Sequence, residues 1–171
     1  IKNKILNKKL KIKKNKYLDK RIIEIPWIVK ELKKINGNLL DVGSTLNFEY
    51  ILKSLPTLNK IFINTLYPEK INFNNKSINY LYEDICENSL KEKYFDNISC
   101  ISTLEHIGFD NSHYNYRNNS KKKIKFNNLK YLIALKKIKK LLKRKSNFFI
   151  SFSFGKKKVY KNLQQFDSND L

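Results

Sequence analysis

Residues 38–47 read NLLDVGSTLN, and this stretch decides the fold that the sequence predicts. Its Leu-Leu-Asp-Val segment is a short, mostly apolar run, which favours a strand. Gly43 ends the run, because glycine tolerates the backbone conformations of a tight turn. Residues 47–55 then carry apolar side chains at helical spacing. A strand, a glycine turn and a helix in this order predict one βα unit.

The same alternation continues on both sides of this unit. Parallel strands need long connections, so strands that alternate with helices predict a mostly parallel sheet with helices on both faces. The expected fold is an α/β, Rossmann-like three-layer sandwich. Helices are predicted at 22–35, 47–55 and 124–144, with a helical turn at 103–107 and the beginning of another helix at 163–171. Strands are predicted at 38–43, 60–65, 77–82, 98–102 and 147–154.

The positive charge of the chain is concentrated in two segments. The formal net charge is +21; residues 1–20 hold nine lysines and one acid, and residues 121–145 hold twelve basic residues and no acid. Two interpretations stay open: the codon bias of an AT-rich genome, or a surface selected to face a polyanion or a membrane. We expect a basic N-terminal extension, residues 1–20, followed by one domain, residues 21–171.

Cysteine spacing and apolar content argue against several classes of protein. Cys86 and Cys100 form no CxxC pair, and the two histidines have no partner cysteine at zinc spacing, so no metal site is predicted. Two isolated cysteines are typical of a reducing compartment, and we expect a cytoplasmic protein. No apolar run approaches the roughly 20 residues that span a bilayer, so no transmembrane segment is predicted.

Polar residues gather where the predicted strands end. In open α/β sheets, ligands bind beyond the carboxyl ends of the strands, near the point where the strand order reverses. The residues at or just past those ends are 41–47, 64–66, 83–85 and 102–106. We therefore expect a binding site built from these four groups.

Three motifs at this edge resemble those of a known family. They are LLDVGS at 39–44, YLYEDI at 80–85 and YFDNISCISTLEHIG at 94–108. Their order and spacing resemble the class I S-adenosylmethionine-dependent methyltransferases, in the small-molecule, methyltransferase type 11-like branch. The resemblance covers about residues 21–155. It implies that the domain is C-terminally incomplete, because the family adds a strand hairpin that is missing here.

The resemblance implies S-adenosylmethionine as the cofactor and assigns roles to the residues that match the motifs. Asp41 and Gly43 would face the methionine part and the cofactor backbone. Asp84 would accept a hydrogen bond from the adenine amino group, and Ile85 would pack on the ring. The sulfonium end would be lined by the residues after the fourth strand, Ser102, Thr103 and Leu104.

The chain departs from the family pattern at two places. Thr45 and Asn47 stand where further glycines are usual, and the hydroxyl of Thr45 is a candidate donor to the cofactor carboxylate. Asn64 and Thr65 stand where an acid usually bonds the ribose hydroxyls, with Glu69 further on. Thr65 is the neutral replacement that we assign to the ribose, at a cost of about 1–2 kcal/mol relative to a charge-assisted bond.

His106 is the leading candidate for a catalytic base, because an ordinary histidine titrates near neutral pH. A capping or packing role for His106 stays open. Some relatives hold a divalent ion with E-x-x-E-H, but Ser102 stands where the first carboxylate should be. A polar loop follows over the same edge, and loops there usually choose the substrate; its members include Asp110, Asn111, His113, Tyr114, Tyr116 and Arg117.

These observations predict an S-adenosylmethionine-dependent methyltransferase that acts on a small molecule or a glycan. The oligomeric state is not predicted. One alternative is a nucleic-acid methyltransferase or a basic nucleic-acid binder, although the N/D-P-P-Y/F motif of amino-group-modifying enzymes is absent. The other alternative is a non-catalytic fragment that keeps the methyltransferase fold without the cofactor.

Overall fold

The computed structural model describes residues 19–55, 58–73, 77–112, 115 and 126–170. The helices are α1 (Arg21–Leu32), α2 (Glu49–Lys53) and α3 (Lys130–Leu141), with a 3₁₀ turn at Leu104–His106. The main strands are β1 (Gly37–Val42), β2 (Leu58–Thr65), β3 (Ile78–Tyr82), β4 (Phe95–Ile101) and β5 (Leu142–Ser151). They form one parallel five-stranded sheet in the order β3-β2-β1-β4-β5.

Both faces of the sheet are buried, as the apolar strands require. Leu39 of β1 packs with Ile28 and Leu32 of α1 on the face that also holds α2. Leu40, the next residue of β1, packs on the opposite face with Ile138 of α3. Successive side chains of a strand point to opposite faces, so one strand contributes to both cores. This arrangement confirms the predicted Rossmann-like α/β fold.

The strand order reverses between β1 and β4. From β1 the chain adds β2 and β3 on one side, and it then returns across the sheet to place β4 on the other side of β1. This reversal opens a crevice at the carboxyl edge of the sheet. Contrary to the expected regular alternation, the described residues between β2 and β3 and between β3 and β4 contain no helix.

The predicted helix at 124–144 is too long. In the described residues α3 begins at Lys130 and ends at Leu141, and β5 begins at Leu142 rather than at residue 147. Leu142 pairs with Phe95 of β4, and the register between the two strands then shifts. Lys145, within this irregular part, has a φ of 59° that is incompatible with a helix. Pairing with β4 overrides the helical propensity of the lysine-rich segment.

The predicted helix beginning at residue 163 is wrong. Gln164–Gln165 (β7) pair antiparallel with Lys158–Val159 (β6) in a small hairpin outside the main sheet. Phe166 follows with only 1% of its surface exposed. Its ring lies 4.9 Å from that of Tyr131 of α3 and 5.3 Å from that of Phe152. Burial of this one aromatic side chain against α3 fixes the extended conformation.

Cys86 and Cys100 are free thiols, and Cys100 is buried in β4. In the part of the chain that the structure describes, no helix is long and apolar enough to cross a membrane.

Candidate functional site

A pocket of about 300 Å³ opens at the carboxyl edge of the sheet, where the strand order reverses. We call it the edge pocket and define it by Gly43, Thr65, Asp84, Ser102 and His106, which lie on its wall. Thr65 is the last residue of β2, and the other four residues follow β1, β3 and β4. The volume lies at the lower end of the range of small-molecule sites.

Seven of the predicted site residues line the edge pocket: Gly43, Thr65, Asp84, Ile85, Ser102, Thr103 and His106. Residues from four distant parts of the sequence are therefore brought together, as the sheet topology predicts. Their individual roles stay predictions. The other three predicted residues, Asp41, Thr45 and Leu104, do not line the pocket.

Gly43 makes the turn at the floor of the pocket possible. Its φ is +96°, and a side chain there would collide with Thr103, whose Cβ would lie 2.8 Å from the added Cβ. Ser44 and Ser102, which also line the pocket, have φ values of 59° and 48°. Non-glycine residues in this conformation cost about 1–3 kcal/mol each and concentrate at functional sites.

The side chain of Asp41 points into the protein interior and stabilises the turn after β1, and it does not line the pocket. It is fully buried; its Oδ2 accepts the Leu46 N–H at 2.8 Å and its Oδ1 accepts the Ser99 hydroxyl at 2.9 Å. Burial raises the pKa of Asp41 from 3.8 to about 6, although both hydrogen bonds act in the opposite direction. The direct contact with the cofactor that the resemblance implies for Asp41 does not agree with this position.

Thr45 and Leu104 are also turned inward. The hydroxyl of Thr45 donates to the carbonyl oxygen of Ile101 at 2.9 Å, so it is already used within the protein. Thr45 is 1% exposed. Leu104 is 3% exposed and belongs to the core that faces α3. The predicted roles as a donor to the cofactor and as part of the sulfonium wall therefore do not match the geometry.

Asp84 is held in place by a partner that the motif does not contain. Its Oδ2 accepts from Lys130 Nζ at 2.6 Å, and its Oδ1 accepts the Cys86 N–H at 2.9 Å. Burial acts to raise the pKa of Asp84, but the hydrogen bond and charge of Lys130 outweigh it and leave the pKa below its usual value. Asp84 is therefore a carboxylate at neutral pH. A carboxylate has about four acceptor positions, so it retains capacity for a ligand N–H.

His106 has a defined ring orientation. Its Nδ1 lies 2.9 Å from the carbonyl oxygen of Asn162. A carbonyl only accepts, so Nδ1 carries the hydrogen, and the neutral ring has its basic lone pair on Nε2. The preceding residue, Glu105, is fully buried and pairs with Lys20 at 2.6 Å. Glu105 thus serves the junction with the segment before α1, rather than the pocket.

α1 closes one side of the edge pocket. Glu24 of α1 accepts the Ser102 hydroxyl at 2.7 Å and the Ser151 hydroxyl at 2.8 Å, which ties the helix to the ends of β4 and β5. Arg21, one turn earlier, lies on the pocket wall. The residues around Arg21 do not indicate which strand ends α1 crosses, so the sequence could not predict that Arg21 lies at the pocket.

The structure adds further wall residues that the motifs did not identify, namely Phe48, Tyr67, Glu69 and Asn111. Glu69 places a carboxylate in the pocket wall after β2, whereas β2 itself ends in the neutral residues Asn64 and Thr65. Its position after β2 was the available signal. Asn111 belongs to the predicted polar loop, of which His113, Tyr114, Tyr116 and Arg117 lie outside the described residues.

Two buried polar atoms at the edge pocket have no hydrogen-bond partner among the described residues. They are Ser44 Oγ and Asn111 Oδ1. Buried polar groups are hydrogen-bonded in the great majority of cases, so each such group calls for an explanation, such as a ligand. Within the described ranges, no three His, Cys, Asp or Glu side chains are grouped as metal ligands.

Comparison with solved structures places this fold in a class. The chain matches a 1,6-didemethyltoxoflavin-N1-methyltransferase from Burkholderia thailandensis, solved with 1,6-didemethyltoxoflavin and S-adenosylhomocysteine bound, at 14% identity and a TM-score of 0.57 over 84% of this chain and 60% of that one. It matches the cyclase SpnF at 12% identity and a TM-score of 0.57, over 85% of this chain and 52% of that one. A protein from Pyrococcus horikoshii matches at 17% identity and a TM-score of 0.52, over 78% and 53%.

The chain shares the fold of these three proteins, and one of them is a methyltransferase solved with S-adenosylhomocysteine bound, which agrees with the fold that the resemblance implied. The chain spans between 52% and 60% of the length of these three proteins. No family model matches the sequence, and no curated protein matches it. At these identities the likeness establishes the fold and not the reaction, and one of the three proteins is a cyclase.

Proposed function

We propose that this chain binds S-adenosylmethionine in the edge pocket and belongs to a methyltransferase that acts on a small molecule or a glycan. The observation that carries the proposal is the convergence of Gly43, Asp84 and Thr103 on one pocket at the reversal of the strand order. These residues come from three separate motifs. A small heterocycle is the substrate of one protein of the same fold, which favours a small molecule over a polymer.

The residues of the pocket fit the cofactor by charge and by hydrogen-bonding capacity. Arg21 offers a cation for the methionine carboxylate, and Asp84 offers an acceptor for the adenine amino group. Glu69 supplies, from the loop after β2, the acid for the ribose hydroxyls that Asn64 and Thr65 do not provide. The amide of Asn64 donates to the Glu83 carbonyl at 2.8 Å, so it stabilises the loop after β3.

The bound cofactor supplies an electrophilic methyl group on a positively charged sulfur. Methyl transfer needs an in-line approach of the acceptor more than acid–base chemistry. For an oxygen or nitrogen acceptor, His106 is placed to take the proton, because its Nδ1 is occupied by Asn162 and its basic nitrogen is Nε2. Gly43, without a side chain, leaves room for Thr103 to pack against the turn, which places Thr103 in the wall of the pocket.

Calorimetry with S-adenosylhomocysteine tests the proposal. The chain is expected to bind it, and Asp84→Ala is expected to weaken binding at least tenfold, which corresponds to about 1.4 kcal/mol. Lys139→Ala is the matched control, since this residue is exposed on α3 and forms no ion pair within the described structure. Equal losses in both variants, or no heat with the unmodified chain, would contradict the proposal.

A second candidate function rests on a basic surface at the end of α3 and the beginning of β5. Lys136, Lys139, Arg144 and Lys145 are exposed there and, among the described residues, have no acidic partner. Such a surface favours a polyanion, including nucleic acid. A salt titration separates the two candidates, because affinity for nucleic acid falls steeply as salt rises. Binding of a labelled 20-mer duplex at low salt that weakens steeply by about 0.2 M salt would favour the second candidate.

A further inference from the structure

Asn111 has a buried hydrogen-bond acceptor that no described residue bonds. The residue is 6% exposed and lines the edge pocket, and its Oδ1 has no hydrogen-bond partner in the described part of the chain. Its Nδ2 donates to the carbonyl oxygens of His106 at 2.9 Å and Phe109 at 3.2 Å. Carbonyls only accept, so these two bonds fix which end of the amide is oxygen. Leaving such an acceptor unsatisfied destabilises the folded chain, so a ligand that satisfies it is favoured.

Asn111 belongs to a different segment of the chain from the residues assigned to the cofactor. Three buried polar atoms of the described chain lack partners, and Glu105 Oε2 is the one that does not line the pocket. Ser44 belongs to the turn beside Gly43, on the cofactor side. Asn111 belongs to the segment after β4 and is bonded to the backbone of His106, the candidate base. This bond ties the side chain of Asn111 to the backbone of the residue that would take the proton from a methyl acceptor.

We propose, on the basis of the proposed function, that Asn111 Oδ1 holds the methyl acceptor through an N–H or O–H group, which makes the acceptor an amine, amide or hydroxyl compound. An amide oxygen cannot donate, so a carboxylate or an ether at this point would leave both groups unsatisfied. Sites built to bond a substrate N–H or O–H reject analogues that lack it by up to about 10⁴-fold. Phe48 and Ile107 give the wall of the same pocket apolar side chains, which suits an acceptor with an apolar ring.

The test uses matched aromatic probes on the 171-residue chain saturated with S-adenosylhomocysteine. The pairs are phenol against anisole and benzamide against N,N-dimethylbenzamide, with benzoate as the anionic probe. Affinities are measured by NMR from the backbone amide signals of Thr103 and Ile107, which line the edge pocket and are present in every variant. At least one donor probe is expected to bind ten times more tightly than its methylated counterpart, and benzoate more weakly than the donor probes.

Variants assign the effect to Asn111. Asn111→Leu is expected to bring the ratio within each pair close to one while changing the affinity for S-adenosylhomocysteine less than twofold. Ser112→Ala, at the exposed neighbour, is the control and keeps the wild-type ratio. The comparison of each pair on the wild-type chain needs no variant, so misfolding of Asn111→Leu does not remove the test.

The possible failures are distinguishable. If S-adenosylhomocysteine binds but neither donor probe exceeds its methylated counterpart, the pocket has only a water on Asn111 and this inference is wrong. If Asn111→Leu weakens S-adenosylhomocysteine tenfold or more, Asn111 serves the cofactor and the inference is also wrong. If the wild-type chain does not bind S-adenosylhomocysteine at all, the proposed function fails, and this inference fails with it.

Discussion

Replacement of Asp41 by asparagine isolates the cost of a buried carboxylate beneath the edge pocket. Burial raises the pKa of Asp41 from 3.8 to about 6 in the folded chain. The stabilising contribution of this group is therefore fully present below about pH 3.8 and is lost as pH rises through 6. Asparagine has nearly the same shape; it keeps an acceptor for the Leu46 N–H, and its amide can donate to the Ser99 hydroxyl oxygen.

The magnitude follows from the shift in pKa. The rise in the pKa of Asp41 from 3.8 to about 6 lowers the free energy of unfolding at pH 7 by about 3 kcal/mol relative to its value at low pH. About 2 kcal/mol of this loss occurs between pH 4.5 and pH 7. The free energy of unfolding of the wild-type chain is thus expected to fall by about 2 kcal/mol relative to Asp41→Asn over that range. Urea denaturation at a series of pH values, followed by circular dichroism, measures the difference.

A second variant shows whether the effect belongs to burial. Asp96 accepts from Lys143 at 2.8 Å. Burial acts to raise the pKa of Asp96, but the Lys143 hydrogen bond and charge leave it below its usual value. Its stabilising contribution is present above its unfolded pKa and lost only as pH falls through the lower folded value. Asp96→Asn should therefore run parallel to wild type above pH 4.5. A wild-type profile parallel to that of Asp41→Asn would refute the reasoning.

Three further predictions concern the frame of the pocket. Gly43→Ala should lower the free energy of unfolding in urea denaturation by about 2–4 kcal/mol, because the residue has a left-handed φ and the added methyl group collides with Thr103. Adding Thr103→Gly to this variant should restore part of the loss. Gly108→Ala should lower the free energy of unfolding, measured by thermal unfolding, by at least about 2 kcal/mol, because Gly108 has a φ of +91° and the added methyl group would collide with the Asn127 carbonyl oxygen. A variant as stable as wild type would contradict this turn geometry. Lys130→Met should raise the pKa of Asp84, read from its carboxyl carbon by NMR, and cost about 1–2 kcal/mol; an unchanged pKa would show that the pair at 2.6 Å does not form.

Apolar periodicity and glycine positions in the sequence predicted the strands, turns and helices that depend mainly on neighbouring residues. The apolar run that ends at Gly43 predicted β1 and its turn, and helical spacing predicted α1 within three residues at its end. Long-range pairing explains the failures. Leu142 joins β5 because β4 offers it a partner, and Phe166 is extended because it packs on Tyr131, neither of which is visible in the neighbouring sequence.

The candidate site shows the same division. Sequence position placed Gly43, Asp84 and His106 at one edge of the sheet, because the ends of parallel strands meet there. Sequence position could not predict the direction in which a polar side chain points at a strand end. The side chains of Asp41 and Thr45 both point into the protein, where they form hydrogen bonds with the backbone of Leu46 and Ile101. Wall residues from elsewhere, including Arg21, become visible only once α1 is packed across the strand ends.

A crystal structure of this chain grown with S-adenosylhomocysteine tests the central claim most directly. The account predicts density for the ligand in the edge pocket, with its adenine beside Asp84 and its sulfur near Thr103. An ordered pocket that stays empty at saturating ligand, or ligand bound at another surface, would contradict it.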